Sequence, residues 1–132
     1  MKIVTGIDIC EINRISEALE KYGKRFLEKT YTKEEIAYCL SRPRLTAQRL
    51  AVRFAAKEAV SKALGVGMNR LGWNKGINWK DVEVLRDENG ALSIRLFNHA
   101  KELEKQLGVD EWSVSVSHSK TDAIAYVTGY KS

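Results

Sequence analysis

Glu58 and Lys62 stand four residues apart in the segment Arg53-Phe54-Ala55-Ala56-Lys57-Glu58-Ala59-Val60-Ser61-Lys62-Ala63-Leu64-Gly65. On a helix that spacing puts a carboxylate and an ammonium on one face. Their neighbours Ala51, Ala55 and Ala59 are small, so a second helix, or a metal and a phosphate, has room to approach. Asp8 lies inside the apolar run Gly6-Ile7-Asp8-Ile9, where a carboxylate is costly unless paired or metal-bound. His118 ends an alternating stretch at the mouth of a turn, between Ser117 and Ser119 and next to Lys120. Two hydroxyls, an imidazole and an ammonium suit phosphate contacts.

Each of these has a plainer alternative. Glu58 and Lys62 can form a surface salt bridge worth only about 0.3–0.5 kcal/mol. Asp8 can cap the helix that follows it or point to solvent. His118 can be an ordinary turn residue. Together, Asp8 and Glu58 offer two oxygen ligands to a hard cation such as magnesium, which commonly takes one or two carboxylates. Arg53 and Lys57 lie on another face of the helix, where they either neutralise a second phosphate or are solvated surface. The glycines from Gly65 to Gly76 form no P-loop, because GK[ST] is missing and a helix precedes them. There is no G-x-S-x-G, HExxH or CxxC.

The elements that must position these groups follow from periodicity. Residues 2–9 read as a strand, with Ile3, Ile7 and Ile9 on one face and Val4, Gly6 and Asp8 on the other. Ile12, Ile15 and Leu19 predict a helix over 11–22, broken by Gly23. Phe26 and Leu27 begin a short second helix. Thr32 and Glu35 form a capping box for a third, ending near Ser41. Past Pro43, the one proline, a long helix runs from about 45 to 64. The glycine-rich loop 65–76 comes next. Strands around Val82–Val84 and Ile94–Leu96 flank the turn Asp87-Glu88-Asn89-Gly90. A helix over 98–107 stops at Gly108. A hairpin closes the chain. Trp112, Val114, Val116 and His118 share one face of its first strand, and Ser113, Ser115 and Ser117 share the other. The turn is 119–122, and 123–127 returns. The expected class is α+β, mainly antiparallel sheet with a long helix packed on it, in one domain over 1–132.

Composition narrows the function. The chain has 132 residues, 44% hydrophobic and 30% charged, which is globular. No stretch is apolar enough to span a membrane, and the N-terminus carries Asp8 and Glu11, unlike a signal peptide. Cys10 and Cys39 have no metal-site spacing, and read as free thiols of a cytoplasmic protein. The net charge of +5 is uneven: residues 42–75 hold eight basic residues and Glu58 alone, a local +7, which leaves −2 elsewhere. An anionic partner is expected. A basic nucleic-acid-binding domain explains that segment, but it leaves Asp8 and Glu58 without a reason and shows no recognisable motif.

Three blocks, in order, resemble holo-acyl-carrier-protein synthase, the small bacterial class of 4′-phosphopantetheinyl transferase. They are GIDICEINRI at 6–15, RFAAKEAVSKALG at 53–65 and SVSHSKTDAIAYV at 115–127. The resemblance covers nearly the whole chain and implies the 4′-phosphopantetheinyl transferase fold. It implies magnesium-dependent transfer of phosphopantetheine from coenzyme A to a serine of apo-acyl carrier protein, with adenosine 3′,5′-bisphosphate released. A role in fatty acid biosynthesis and lipid metabolism follows, with no nucleic-acid or membrane partner.

By the same resemblance, Asp8 and Glu58 match the magnesium ligands. Glu58 and Lys62 match catalytic positions, and Lys62 contacts the pyrophosphate. Arg53, Gly65, Ser117, His118 and Ser119 join Lys62 as coenzyme A contacts. Arg14, with Lys21, Lys24 and Arg25, is expected to dock the acidic carrier protein. The family is usually a homotrimer with interfacial sites, so His118 is expected to face Asp8 and Glu58 of a neighbouring chain. The general base is open between Glu58, a metal-bound hydroxide and ordered water. Retention of Asp8, Glu58 and Lys62 argues against a relative that only binds coenzyme A. Three features depart from the pattern: Cys10 where Val or Thr is usual, a longer loop at Gly72-Trp73-Asn74-Lys75, and Asn89-Gly90-Ala91-Leu92 in place of a G-x-P turn.

Overall fold

The alternating strands pair into two antiparallel sheets in the computed structural model, which describes residues 2–69 and 76–132. The first sheet has the order β1-β5-β4, with β1 at Ile3–Glu11, β4 at Glu111–His118 and β5 at Asp122–Tyr130. The second is the hairpin of β2 (Val82–Arg86) and β3 (Leu92–Leu96). Helices α1 (Ile12–Tyr22), α2 (Lys24–Thr30) and α3 (Lys33–Leu40) follow β1, and α5 (Asn98–Leu107) follows β3. The long α4 (Thr46–Ala63) packs on one face of the three-stranded sheet. The α+β expectation therefore holds, and predicted element ends lie within three residues of the observed ones. Arg70, Lys75 and the unusual Gly72–Lys75 stretch fall outside the described residues.

The predicted capping box forms. Thr32 Oγ1 accepts from Glu35 N at 3.3 Å, and Glu35 Oε1 accepts from Thr32 N at 2.8 Å. Glu35 does more than cap. Its Oε2 accepts from Val84 N of β2 at 2.8 Å, and its Oε1 lies 2.7 Å from Lys57 Nζ. Lys57 also donates to the Trp79 and Val82 carbonyls at 2.9 and 2.6 Å. Both side chains are fully buried. Lys57 is thus neither a phosphate neutraliser nor solvated surface, as its sequence position suggested. Its ammonium spends three donors on three acceptors, which is what a buried charge requires. Burial still pulls its pKa below the ordinary lysine value, with Glu35 opposing the shift.

The alanine face of α4 is also filled from within the chain. Ala51, Ala55 and Ala59 are completely buried. β1 meets that face at Ala59, and the burial of all three alanines leaves no room there for a ligand. At the contact, a Cβ added to Gly6 would sit 1.8 Å from the Ala59 carbonyl oxygen and 3.1 Å from Ala63 N. Only glycine permits this approach of strand backbone to helix backbone.

Packing the Gly6 face inward turns the isoleucines outward. Ile3, Ile7 and Ile9 are 58, 53 and 62% exposed. On β5, Ile124 and Tyr126 pair with Ile9 and Ile7 and are exposed beside them. The more apolar face of β1 is therefore the open one. Cys10 and Cys39 are buried free thiols, each pushed by desolvation up to about 11.

Two stability effects follow. Gly6→Ala forces β1 and α4 apart and should cost about 2–3 kcal/mol or more in urea unfolding. Lys57→Met strands the Glu35 carboxylate in the core and should cost about 3–5 kcal/mol. A Lys57→Met protein as stable as the parent would show the pair to be dispensable.

Candidate active site

Lys62 is the penultimate residue of α4, and its Nζ reaches across to β1. It donates to Asp8 Oδ1 and to the Ile7 carbonyl, both at 2.9 Å. The Asp8 carboxylate is 18% exposed and the Lys62 side chain 52% exposed, so the pair sits at an open seam. Asp8 points to this seam because it shares the Gly6 face, two residues along the same strand. Glu58 is half-buried, one turn before Lys62 on the same side of α4. Lys62 therefore pairs across the seam with Asp8, which a reading confined to the helix does not reveal. An exposed ion pair of this kind is worth at most about 1 kcal/mol, so Lys62 can exchange Asp8 for an arriving anion at little cost.

Gly65 follows immediately. Its N–H donates to the Lys62 carbonyl at 3.0 Å with φ of 81°, and the residue is exposed beside the seam. Among the described residues, no group of three or more His, Cys, Asp or Glu side chains is placed to hold a metal. Magnesium needs fewer protein ligands than that. Asp8 and Glu58 carry carboxylate oxygens, the ligand type that a hard cation takes.

A second cluster lies toward the other end of α4. A cleft of about 240 Å³ is lined by Tyr38, Gln48, Arg49, Arg53, Arg86 and His118, among others. Arg53 is 3% exposed, and its Nε has no hydrogen-bond partner. Among the described residues, Arg49, Arg53 and Arg86 have no carboxylate partner. His118 is exposed, with Nε2 3.0 Å from the Gln48 amide nitrogen and Nδ1 3.4 Å from the Ser119 carbonyl. That arrangement assigns the tautomer: Gln48 donates to Nε2, and Nδ1–H faces the carbonyl.

The two serines beside His118 do not join it. Ser117 pairs with Ile124 on the exposed isoleucine face, opposite His118. Ser119 Oγ accepts from Thr121 N and Asp122 N at 3.2 and 3.1 Å, so it builds the turn. Sequence reasoning found Arg53 and His118 but missed Tyr38, Gln48, Arg49 and Arg86. Arg49 had a signal, being four residues before Arg53 with no acidic residue at helical spacing. Tyr38 and Arg86 come from other elements and had none.

Within one chain the two clusters stay apart. Asp8 and His118 share a sheet face, but two strand spacings and one step of two residues separate them, roughly 12 Å between backbones. On α4, Glu58 and Arg53 point about 140° apart. A third feature lies on α1 and α2. Arg14, Lys21, Lys24 and Arg25 are all exposed there. A shallow cleft of about 310 Å³ is lined by Tyr22, Arg25, Phe26 and Lys29, aromatic floor beside basic rim.

Residues 5–127 match the 4′-phosphopantetheinyl transferase superfamily. A holo-[acyl-carrier-protein] synthase of Herpetosiphon aurantiacus is 43% identical over 128 residues, covering 96% of this chain and 98% of that protein. Among solved structures, the Helicobacter pylori holo-[acyl-carrier-protein] synthase in complex with coenzyme A superposes with a TM-score of 0.79 at 31% identity, covering 96% of this chain and 99% of that one. The Bacillus anthracis enzyme, in complex with coenzyme A (3′,5′-ADP), gives 0.74 at 33% identity, covering 98% and 96%. With the matched segment running from β1 through most of β5, and so through both clusters, the chain belongs to the 4′-phosphopantetheinyl transferase superfamily, among its holo-[acyl-carrier-protein] synthases.

Proposed function

We propose that this protein transfers the 4′-phosphopantetheine group of coenzyme A to a serine of apo-acyl carrier protein, releasing adenosine 3′,5′-bisphosphate. The observation that carries the reading is the Asp8–Lys62 pair at the β1–α4 seam, with Glu58 one turn away. Two carboxylates and a mobile ammonium answer the needs of a pyrophosphate that must be neutralised as it is cleaved. The whole chain acts as one catalytic domain. No helix among the described residues is long and apolar enough to cross a membrane.

Asp8 and Glu58 would hold the magnesium ion. When bound, it supplies positive charge to the pyrophosphate oxygens. Lys62 leaves Asp8 and takes up the anion, where its ammonium offsets charge on the departing bisphosphate. Arg53 and His118 hold coenzyme A through its phosphates, and Gly65 leaves the C-terminal end of α4 open beside Lys62. The carrier protein's serine oxygen attacks the β-phosphorus, and the bond from that phosphorus to the bridging oxygen breaks. The serine proton passes to Glu58 or to water. The nucleophile belongs to the partner, so this chain needs no activated hydroxyl. The basic strip of α1 and α2, with its aromatic cleft, suits an acidic carrier surface bearing an apolar anchor.

The exposed sheet face completes the reading. Five large apolar side chains on one face of a sheet call for a cover. A second and third copy of this chain would supply it, giving a homotrimer. Assembly at the subunit interfaces would bring His118 of one chain to Asp8 and Glu58 of the next, joining clusters that one chain keeps apart.

Two experiments decide these points. With coenzyme A, magnesium and apo-acyl carrier protein, mass spectrometry should detect the phosphopantetheine adduct. Glu58→Gln should remove at least ~99% of that turnover without altering the circular dichroism spectrum. Full activity in Glu58→Gln would return Glu58 to the surface. For assembly, light scattering should give three chains per particle, and Ile7→Asp should dissociate it and abolish transfer. A monomer with full activity would exclude interfacial sites.

A further inference from the structure

Tyr38 sits where three arginines converge. Arg49 Cζ lies 4.2 Å from its ring centroid, and Arg53 Cζ lies 4.7 Å from it. Arg86, from the end of β2, donates from Nη1 to Tyr38 Oη at 3.3 Å. Arg49 Nη1 also donates to the Tyr38 carbonyl and to Ser41 Oγ, at 3.1 and 3.2 Å. Arg53 Nη1 donates to the Arg49 carbonyl at 3.2 Å. Opposite charges usually gather guanidiniums in this way, yet no carboxylate partners them among the described residues. Three like charges brought together without a counter-ion repel one another, so something must repay the cost. The ring face repays part of it, because a cation is attracted to the aromatic quadrupole.

Gly90 plays a supporting part. A Cβ there would lie 2.9 Å from Arg86 Nη2, and its φ is 85°. The hairpin turn thus lets Arg86 fold back toward Tyr38 instead of extending into solvent. The orphaned Nε of Arg53 remains buried at the wall of the same cleft.

We infer that Tyr38 is a positioning residue for substrate binding: it holds Arg49, Arg53 and Arg86 as a preformed guanidinium cluster that takes the phosphates of coenzyme A. This rests on the proposed function, which assigns Arg53 and His118 to coenzyme A. It adds Arg49 and Arg86 to the contacts and gives Tyr38 the task of aiming them. Tyr38 acts through the arginines, by stacking under two and hydrogen-bonding the third. Preorganisation of this kind raises affinity by removing the cost of ordering long side chains on binding.

Isothermal titration with coenzyme A tests it. Arg53→Gln and His118→Gln should each weaken binding about tenfold. Tyr38→Leu should weaken it by about the same factor, since two cation–π contacts are lost. In turnover it should raise KM for coenzyme A while kcat and KM for the carrier protein stay within about twofold, a split that a merely structural role would not produce. The double variant Tyr38→Leu/Arg53→Gln should be weaker by clearly less than the product of the single effects. Tyr38→Phe keeps the ring and the Arg86 charge and severs only their hydrogen bond, so it should weaken binding measurably but less than Arg86→Gln, a comparison that survives if Tyr38→Leu does not fold. Unchanged binding in Arg53→Gln and His118→Gln would overturn the coenzyme A reading of the cleft, and this inference with it. Weakened binding in those two, with wild-type affinity in Tyr38→Leu, would overturn the role of Tyr38 alone. Multiplicative effects in the double variant, or wild-type affinity in Tyr38→Phe beside weakened binding in Arg86→Gln, would do the same.

Discussion

The Lys57–Glu35 pair is the interaction on which the arrangement of elements turns. It is a buried charge pair, and such a pair is stable only when every donor and acceptor has a partner. Meeting that condition brings four pieces of chain to one point. Glu35 caps α3 and accepts from β2, while Lys57 projects from α4 and donates to Trp79 and Val82. The pair thereby sets how α4 lies against β2 and against the turn before it. Phe54, one turn before Glu58, stacks on Trp79 with ring centroids 4.4 Å apart and reinforces the same contact. A misplaced Lys57 would leave a charge in the core, so the register of α4 is tightly constrained. Glu58 is its immediate neighbour in sequence, and Lys62 follows on the same helix.

The second constraint is steric. Gly6 lets β1 approach the α4 backbone, and Asp8 then arrives beside Lys62. The polar seam and the Gly6 contact with the α4 backbone are two residues apart. This economy has a consequence on the far side of the sheet. Choosing the Gly6 face as the interior leaves Ile3, Ile7 and Ile9 outside, and an apolar surface of that kind is a poor end state for a lone chain in water. The proposed trimer resolves both this exposure and the separation of the two clusters.

The cleft around Tyr38 follows a different logic. At the β1–α4 seam, opposite charges are paired and ready to exchange. In the cleft, like charges are gathered on an aromatic face with no carboxylate partner among the described residues. The first arrangement suits a group whose charge changes during reaction. The second suits a group that must be held while the reaction proceeds elsewhere.

Local signals in the sequence settled the elements. The capping box at Thr32–Glu35, the glycines ending helices and the alternation of the last hairpin all act within a few residues, so they are legible without tertiary contacts. The three spaced blocks also pointed to the family, because several independent motifs rarely coincide in order. Tertiary structure decided which side of each element is used. An i,i+4 pattern cannot tell that Lys62 prefers Asp8, which is 54 residues away in sequence. Nor can composition tell that Lys57 is buried beside Glu35 while Lys62 is exposed beside Asp8, since both are lysines on one helix. Strand alternation separates two faces but does not name the interior. That choice fell to Gly6, whose missing side chain outweighs the hydrophobicity of three isoleucines by allowing contact that no other residue permits.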